Sequence, residues 1–452
     1  MFQADTRNML ASLAATALVF SQLLLLGAVD GPAAAFFALG ELAVSVLLIL
    51  LLDSARADPA WRALAPVMLL FFAALAWAAL PLVLPGWIAA PLARDAIPLE
   101  LLKLAGLGAI WLGGALIGLS SARLQRFVLT FAVVGLAYTL LALWAGQASP
   151  FTVWGQPKGA HAFRFTGTLL NANAAGCVFG MIGMIALGLI QSLIKRIDLR
   201  EARLLDLLRL AAAVCTMIAA LGACVLTQSR TALTLATAFG GLLLALEARR
   251  NARKRGPSLA DRIVLAVVGA VLVASLGLGA SQVTSRWGTF LVDAQLRGDA
   301  YAHYFAAIAR APLFGYGLGG FRMLHQSILT PALAAGMWDF GAAHSALTQA
   351  ALEGGLPFVI LLSGALGLAA ADAARLGKAD RGAMASGVLA AVGLAVAFSF
   401  VDIALNTPAI AALCLMLFGV AWGDAVARRA GGRPRLGARM AVANVETGPA
   451  DV

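Results

Sequence analysis

The sequence contains few charged residues. Asp, Glu, Lys and Arg together make up only 12% of its 452 positions, whereas hydrophobic residues make up 61%. A soluble globular domain normally carries about twice that charged share, and a soluble protein of this size could not bury so many apolar side chains. The composition therefore excludes a soluble globular protein and indicates one that lies in a membrane.

The apolar residues fall into long runs of about twenty residues, the length needed to cross a bilayer core of roughly 30 Å as a helix. Strands of a membrane barrel would instead show short segments of alternating polarity. The sequence therefore predicts an all-α integral membrane protein, with residues 1–452 forming one polytopic membrane domain of about twelve transmembrane helices. The predicted spans are 9–29, 33–52, 62–84, 99–119, 127–146, 168–190, 208–226, 230–247, 262–280, 345–370, 384–401 and 405–427.

Cysteine is also scarce, with four residues in the chain. All four lie in predicted spans and show no CxxC or metal-ligand spacing, so we interpret them as small packing residues; they are Cys177, Cys215, Cys224 and Cys414. Acidic residues of the predicted outer loops have no spacing that indicates a metal site; these are Asp293, Asp299 and Asp339. The sequence predicts no metal and no cofactor.

The formal net charge of +11 would fit a nucleic-acid partner, but the distribution of the cations argues against one. With an even number of spans both termini share a side, and 24 of the 33 Lys and Arg residues fall on that side. The positive-inside rule makes that side cytoplasmic. The basic tail, 428–452, is then predicted to be a disordered cytoplasmic segment that touches anionic membrane lipids. We expect both termini to be cytoplasmic and no nucleic-acid partner.

The other nine cations are predicted to lie in or beside the outer loops, where topology does not require them. They are Arg94, Lys103, Lys158, Arg164, Arg230, Arg286, Arg297, Arg310 and Arg322. Two of these loops are long, 147–167 and 281–344. Loops of such length are usually functional or disordered. Because 281–344 contains aromatic residues, a glycine-rich turn and a helical stretch, we predict an ordered outer subdomain there.

The helical stretch of that loop, from about residue 297 to 310, is typical of a helix at the membrane interface, which also fits a lid over a lipid substrate. The run Gly315-Tyr-Gly317-Leu-Gly319 follows no predicted strand, which a dinucleotide-binding motif requires. It predicts instead a tight loop whose backbone passes close to another group, such as a substrate.

Several polar residues are predicted close to the outer end of the hydrocarbon. Arg164 lies at the start of span six, followed by Asn171 and Asn173, and Arg230 lies where spans seven and eight meet. An arginine at that depth generally faces a cavity or a partner, although its side chain can also extend to lipid headgroups. His344 opens span ten, where a lone histidine is more often structural than catalytic.

Two carboxylates are harder to place. Glu353 follows His344 by nine residues, so on a continuous helix it points to the opposite face and does not form a dyad with the histidine. Glu41 lies in the middle of span two without an evident partner. The predicted topology nevertheless brings Arg164, Arg230, Arg286 and His344 to one membrane surface. Cations there suit a lipid-linked diphosphate, and a neutral histidine beside them can accept a proton from an attacking hydroxyl.

Three segments together resemble the O-antigen ligase and polymerase superfamily. They are Arg164-Phe-x-Gly-x-x-x-Asn171-x-Asn173, then Thr227-x-Ser-Arg230, and then Arg297 ahead of Pro312-x-x-Gly315-x-Gly317-x-Gly, His344 and Glu353-x-Gly355. The predicted plan, with the largest outer loop between spans nine and ten, is also similar. The family commonly has Asn after the histidine, where this chain has Ser345.

The resemblance, most of all to O-antigen ligase, implies a metal-independent, inverting glycosyltransferase of the bacterial inner membrane that acts at the periplasmic face. Its donor would be a glycan on undecaprenyl diphosphate, and its acceptor the lipid A–core of lipopolysaccharide. His344 would be the catalytic base or position the acceptor, with Arg230 as a second catalytic residue. The expected substrate-binding residues are Arg164, Arg297, Arg286, Asn171, Asn173, Gly317 and Glu353.

Alternatives remain open. The same chemistry with another acceptor gives an O-antigen or exopolysaccharide polymerase, or a protein O-oligosaccharyltransferase. A transporter or flippase of lipid-linked saccharides is the alternative of a different class. Transporters tend to have internal repeats and helices interrupted at mid-membrane, and the sequence shows no repeat.

Overall fold

The computed structural model describes residues 2–29, 31–51, 57–197, 202–254, 269, 287–338, 340–375 and 382–429. Helices dominate these ranges. They are α1 (Phe2–Leu24), α2 (Gly31–Leu50), α3 (Ala57–Ala79), α4 (Ile97–Gly118), α5 (Ser121–Ala148), α6 (Ala172–Ile194), α7 (Leu204–Leu226), α8 (Arg230–Lys254), α9 (Trp287–Arg310), α10 (Phe321–Ile328), α11 (Pro331–Met337), α12 (Ala346–Arg375), α13 (Ala383–Ser399) and α14 (Pro408–Arg429). A two-residue pair of antiparallel strands, β1 (Thr152–Val153) and β2 (Gln156–Pro157), lies between α5 and α6.

Nine helices of the described ranges are long and apolar enough to cross a bilayer: α2 to α8, α12 and α14. Two shorter apolar helices accompany them, Met9–Leu24 within α1 and Ala383–Ser399, which is α13. The structure thus confirms the predicted all-α integral membrane fold. The predicted span 262–280 lies outside the described residues except for residue 269, so the number twelve stays a prediction.

The centre of the bundle is formed by α6 and α14, in which nearly every residue is buried. α14 packs along α4, and α6 packs along α13 and α7. Glycines make the first of these contacts close: a Cβ on Gly114 would overlap the carbonyl oxygen of Met416, and one on Gly423 would overlap that of Ala115. Membrane helices use small residues in this way, because close backbone approach replaces the hydrophobic driving force that lipid removes.

The segments that connect the helices at one end of the bundle contact each other. The Leu92 amide donates to the Tyr316 carbonyl (2.8 Å), and the Trp154 indole donates to the Leu24 carbonyl (2.7 Å). We call this end, which carries residues 80–96, 149–171, 227–229, 311–345 and 400–407, the loop face. The opposite end carries ion pairs such as Arg428 with Asp424. That the loop face is periplasmic stays a prediction.

Helices α9, α10 and α11 lie over the loop face and share a small core that includes Tyr304, Phe321, Met337 and Leu352. The buried His325 holds this core together, since its Nε2 donates to the Met337 carbonyl (2.7 Å) and its Nδ1 accepts from the Tyr304 hydroxyl (2.9 Å). Burial raises the pKa of Tyr304, with a smaller contribution from Tyr301, so the hydroxyl keeps the proton it donates. The predicted boundaries 281–344 and 428–452 stay predictions.

Helix α12 is interrupted at Gly355, where φ is +78°. The loop before α10 fills the interruption: the Tyr316 amide donates to the Leu352 carbonyl (2.7 Å), and the Leu356 amide donates to the Pro312 carbonyl (2.8 Å). A Cβ on Gly355 would overlap the carbonyl of Leu313. The interruption therefore needs glycine both for its backbone conformation and for space.

We expect Gly355→Ala to lower the free energy of unfolding by at least about 2 kcal/mol, because it combines a disfavoured φ with overpacking against backbone. The measurement is thermal unfolding of the purified protein in detergent. Gly367→Ala in the same helix is the control, since a Cβ there meets nothing within 4 Å. Equal midpoints for the two variants would contradict the assigned role of Gly355.

Candidate active site

Arg164 connects three segments of the loop face. Its Nε donates to the Thr227 carbonyl (3.0 Å) and its Nη2 donates to Asn173 Oδ1 (2.8 Å). The Asn173 amide in turn donates to Asp402 Oδ2 (2.9 Å). The guanidinium is half-buried at the junction of the loop before α6, the α7–α8 turn and the segment before α14. Arg164 thus donates to the protein itself, and its hydrogen bonds hold these three segments together.

Arg230 is the first residue of α8 and is half-buried. The turn before it is tight: Gln228 has φ +54°, and the Thr227 hydroxyl accepts from the Ser229 amide (3.3 Å). A Cβ on Gly176 of α6 would come within 2.8 Å of Thr227 Oγ1, so α6 packs directly against the turn. Arg164, from the loop before α6, donates to the Thr227 carbonyl and thus contacts the turn that Arg230 directly follows.

Asn171 caps α6, with its Oδ1 accepting from the amides of Asn173 (2.8 Å) and Ala174 (3.1 Å). This is the usual role of an asparagine before a helix. The loop before it is held by Lys158, whose Nζ donates to the Pro150 carbonyl (2.8 Å). Burial lowers the pKa of Lys158. Lys158 is one of the nine cations that the predicted topology does not require, and its contact with Pro150 gives it a structural role in this loop.

His344 lies in the short segment between α11 and α12 and is half-buried beside Phe340, with ring centroids 4.5 Å apart. Its Nδ1 lies 3.1 Å from the Ala342 carbonyl oxygen. Since a carbonyl only accepts, the neutral ring carries its proton on Nδ1, and Nε2 carries the lone pair. The backbone of His344 is left-handed, with φ +56°. Such strain in a residue other than glycine is concentrated at functional sites.

Glu353 is connected to the His344 segment through Gln349. The Ala343 amide donates to Gln349 Oε1 (2.8 Å), and Gln349 Nε2 donates to Glu353 Oε1 (3.2 Å). The Phe321 amide donates to the same carboxylate oxygen (3.2 Å). None of these contacts joins Glu353 to His344 directly. Glu353 instead positions Gln349, which binds the amide of Ala343, the residue before the histidine.

The glycine-rich run passes close to other groups, as its sequence predicts, and those groups belong to the protein itself. A Cβ on Gly315 would overlap the Leu352 carbonyl, and one on Gly317 would come within 2.5 Å of Pro91 Cβ. Packing therefore accounts for Gly317, whose contact with a substrate stays a prediction. Arg286 lies outside the described residues, and so does the side chain of Arg297, which belongs to α9.

Two cavities lie beneath the loop face. The first, of about 360 Å³, is polar and is lined by residues that include Gln22, Glu41, Lys103, Gln349 and Glu353. The second, of about 700 Å³, is apolar and is lined by α3, α4, α12, α13 and α14. It runs from Ala346, beside the His344 segment, to Ala374 near the far end of α12. Four residues line both cavities and form a wall between them: Leu104, Leu107, Leu405 and Ala411.

Metal binding finds no support in the described ranges, where no group of three or more His, Cys, Asp or Glu side chains is placed to hold an ion. The expectation of metal-independent chemistry stays a prediction, because residues outside those ranges also carry carboxylates.

Comparison with known families gives a match to about a third of the chain. Residues 215–363 match the O-antigen ligase family model. The match confirms the resemblance to the O-antigen ligase and polymerase superfamily, and it covers Arg230, Arg297, His344 and Glu353 but not Arg164. It supports a ligase- or polymerase-type function in the processing of O-antigen or a related glycan. Among curated proteins, none matches the chain.

Sequence reasoning missed Gln349 and Asp402. Asp402 is buried and anchors Asn173. The sequence pattern that could have identified it is an acidic residue in the three-residue connection between the predicted spans 384–401 and 405–427. No sequence pattern distinguishes Gln349, because a glutamine in the first turn of a helix is common. Its contacts depend on how the chain folds back before α12.

We expect Asn173→Leu to reduce stability by about 1–3 kcal/mol, since it removes the acceptor of Arg164 and the amide donor of the buried Asp402. Thermal unfolding in detergent measures the change. Gln147→Leu is the matched control, because that amide is exposed at the end of α5. A loss no larger than that of Gln147→Leu would contradict the role given to the Arg164, Asn173 and Asp402 contacts.

Proposed function

We propose that the protein transfers a glycan from undecaprenyl diphosphate to the lipid A–core of lipopolysaccharide, as an O-antigen ligase. The observation that carries the proposal is the position of His344 in the loop face, where its Nδ1 contacts the Ala342 carbonyl. In the proposal, Nε2 of the neutral ring accepts a proton. The family match over 215–363 supports the reaction class. Sidedness, donor and acceptor are parts of the proposal.

The proposed reaction is a single displacement. His344 Nε2 accepts the proton of an acceptor hydroxyl while the oxygen attacks the anomeric carbon of the donor glycan. The bond from that carbon to the diphosphate oxygen breaks, and the diphosphate leaves with the bonding electrons. Attack opposite the leaving group inverts the anomeric centre. Cations where this charge develops lower the barrier, and we assign that role to Arg230 and Arg297.

Arg164 supports this step indirectly in the proposal. Its contacts with Thr227 and Asn173 hold the turn from which α8 begins with Arg230. We therefore treat Arg164 as a positioning residue and expect Arg230 to lie nearer the diphosphate. Asn171 contributes by capping α6.

The apolar cavity gives the proposed donor a place for its lipid chain. It is lined by apolar side chains along α12, from Ala346 next to the His344 segment to Ala374. Burial of apolar area contributes roughly 25 cal/mol per Å². A lipid chain there would end with its headgroup near His344.

We expect purified protein to transfer the glycan to lipid A–core acceptor in the presence of EDTA, and His344→Ala to reduce the rate by about 10²–10⁴, the usual contribution of a general base. His303→Ala is the matched control, since His303 lies on α9 and its Nδ1 contacts the Asp299 carbonyl of the same helix (2.9 Å). Gel analysis of labelled glycan measures transfer.

The same assay separates the alternatives. A longer lipid-linked glycan without core transfer would make the protein a polymerase, and transfer to protein would make it a protein O-oligosaccharyltransferase. Movement of the donor across vesicles with none of these products would make it a transporter. Full activity of His344→Ala would overturn the assigned base.

We expect Gln349→Leu to lower kcat, measured at saturating substrate, by about ten- to a hundred-fold, because a misplaced catalytic group loses rate steeply. The reason is that Gln349 joins the Ala343 amide to Glu353. Steady-state kinetics with unfolding midpoints measured in parallel test this. An unchanged kcat, or a loss that follows stability alone, would contradict the positioning role.

A further inference from the structure

The polar cavity contains groups that the proposed transfer step does not use. Gln22 of α1 and Glu41 of α2 both line it, and Gln22 Nε2 donates to Glu41 Oε1 (2.7 Å). Both side chains are buried, with exposures of 0% and 4%. Carboxylates at membrane depth are rare and usually face a cavity or pathway, so each is a functional-site hypothesis.

Gln22 is not fully satisfied by the protein. Its carbonyl oxygen, Oε1, is buried and has no hydrogen-bond donor among the residues that the structure describes. Leaving a buried acceptor without a donor costs about 1–3 kcal/mol, and each such group in a native structure calls for an explanation. A molecule that carries O–H or N–H donors and enters the cavity would supply the missing bond.

Glu41 is given space by a glycine. A Cβ on Gly106 of α4 would overlap Glu41 Oε2, so any larger residue at 106 would displace the carboxylate. The neighbouring turn of α4 contributes Glu100 and Lys103, which form an ion pair at 2.7 Å. The cavity wall is therefore shaped around carboxylates, one of them already neutralised by a lysine.

The charges of the cavity select against a diphosphate. Its lining includes the three carboxylates Glu41, Glu100 and Glu353 and the two cations Lys103 and Arg322. A neutral hydroxyl can donate to a carboxyl oxygen and accept from a cation or amide, whereas a phosphate offers mainly acceptors to a wall rich in acceptor oxygens. The amides of Gln22 and Gln349 add both kinds of partner. A molecule with several hydroxyl groups fits this wall.

The position of the cavity fits a substrate that also reaches His344. Gly341, three residues before His344, lines it, and so do Gln349 and Glu353, which hold the Ala343 amide. Its volume of about 360 Å³ is within the range of small-molecule sites, roughly 300–1,000 Å³. The aromatic rings of Phe37 and Phe321 provide apolar surface in the same wall.

We propose that this cavity is a saccharide-binding site, with Gln22 and Glu41 as its hydroxyl-binding floor and Glu100, Lys103 and Gln349 along its wall. The proposal rests on the proposed function, because the saccharide is a glycan of that reaction. It separates the recognition of sugar, beneath α10, from the recognition of diphosphate, beside Arg230. The saccharide belongs either to the donor glycan or to the acceptor.

The test measures binding without turnover. Two soluble probes are titrated into purified protein by calorimetry: the glycan released by mild acid from the lipid-linked donor, and the core oligosaccharide released from lipopolysaccharide. We expect one of them to bind, and Gln22→Leu and Glu41→Gln each to weaken its affinity at least tenfold, about 1.4 kcal/mol. The probe that binds identifies the source of the saccharide.

Gln191→Leu is the matched control and should bind like the wild type. Gln191 of α6 is equally a buried glutamine whose carbonyl oxygen has no donor, but it does not line the cavity. His344→Ala should also bind normally while losing transfer, so a failed transfer assay and a failed binding assay are distinguishable. Inorganic pyrophosphate should not compete.

Three results would overturn the proposal. They are the absence of binding by both probes, affinities that Gln22→Leu and Glu41→Gln leave unchanged, and competition by pyrophosphate. Unfolding midpoints of the two floor variants exclude misfolding as the reason for lost affinity, and Glu41→Gln keeps the size of the side chain. Binding that persists when wild-type protein shows no transfer would support the site and reject the transfer reaction.

Discussion

A bilayer does not tolerate unpaired backbone groups, and the interruption of α12 at Gly355 creates them near the loop face. The loop before α10 satisfies them, with Tyr316 donating to the Leu352 carbonyl and Leu356 donating to the Pro312 carbonyl. These two bonds join the short helices of the loop face to the membrane bundle. The His344 segment and Glu353 are both placed by that junction, since one precedes α12 and the other lies in its first turns. The rest of the site depends on this pairing.

The loop face divides its charges into two regions of opposite character. Around the α7–α8 turn lie Arg164 and Arg230, together with the amide of Asn173 and the carboxylate of Asp402. Beneath α10, carboxylates outnumber cations in a cavity. In a medium of low dielectric constant such a division discriminates strongly between anionic and neutral groups. Under the proposed function, this division would orient a substrate that carries both a diphosphate and a sugar.

Composition and run length were sufficient to predict the membrane fold, because a helix that crosses lipid must be apolar along about twenty residues. The same two properties predicted that Arg164 and Arg230 lie at one membrane surface, because each is at the end of an apolar run that reaches that surface. The order of the motifs predicted a resemblance to the O-antigen ligase and polymerase superfamily, and the family match over 215–363 confirms it. The predicted start of span six at 168 was early, because Asn171 ends a loop and caps the helix at Ala172.

Other features depend on three-dimensional contacts that no local pattern encodes. The expected divergence of Glu353 from His344 assumed a continuous helix, and the contact through Gln349 exists because the chain before α12 folds back on its first turn. The glycine-rich run was predicted to approach another group, but whether that group was substrate or protein could not be read from spacing. For Gly315 that group is protein: at the kink of α12, a Cβ on Gly315 would overlap the Leu352 carbonyl, so the loop and the helix leave no room for a side chain.

The common wall of the two cavities bears on the kind of substrate. A free sugar would need only the polar cavity, and a simple lipid would need only the apolar one. Leu104, Leu107, Leu405 and Ala411 line both, so the two cavities are neighbours on either side of one apolar wall. His344 precedes Ala346, where the apolar cavity begins, and follows Gly341, which lines the polar cavity. Under the proposed function, His344 would lie where the sugar and lipid parts of a lipid-linked glycan meet, beside the bond to be broken.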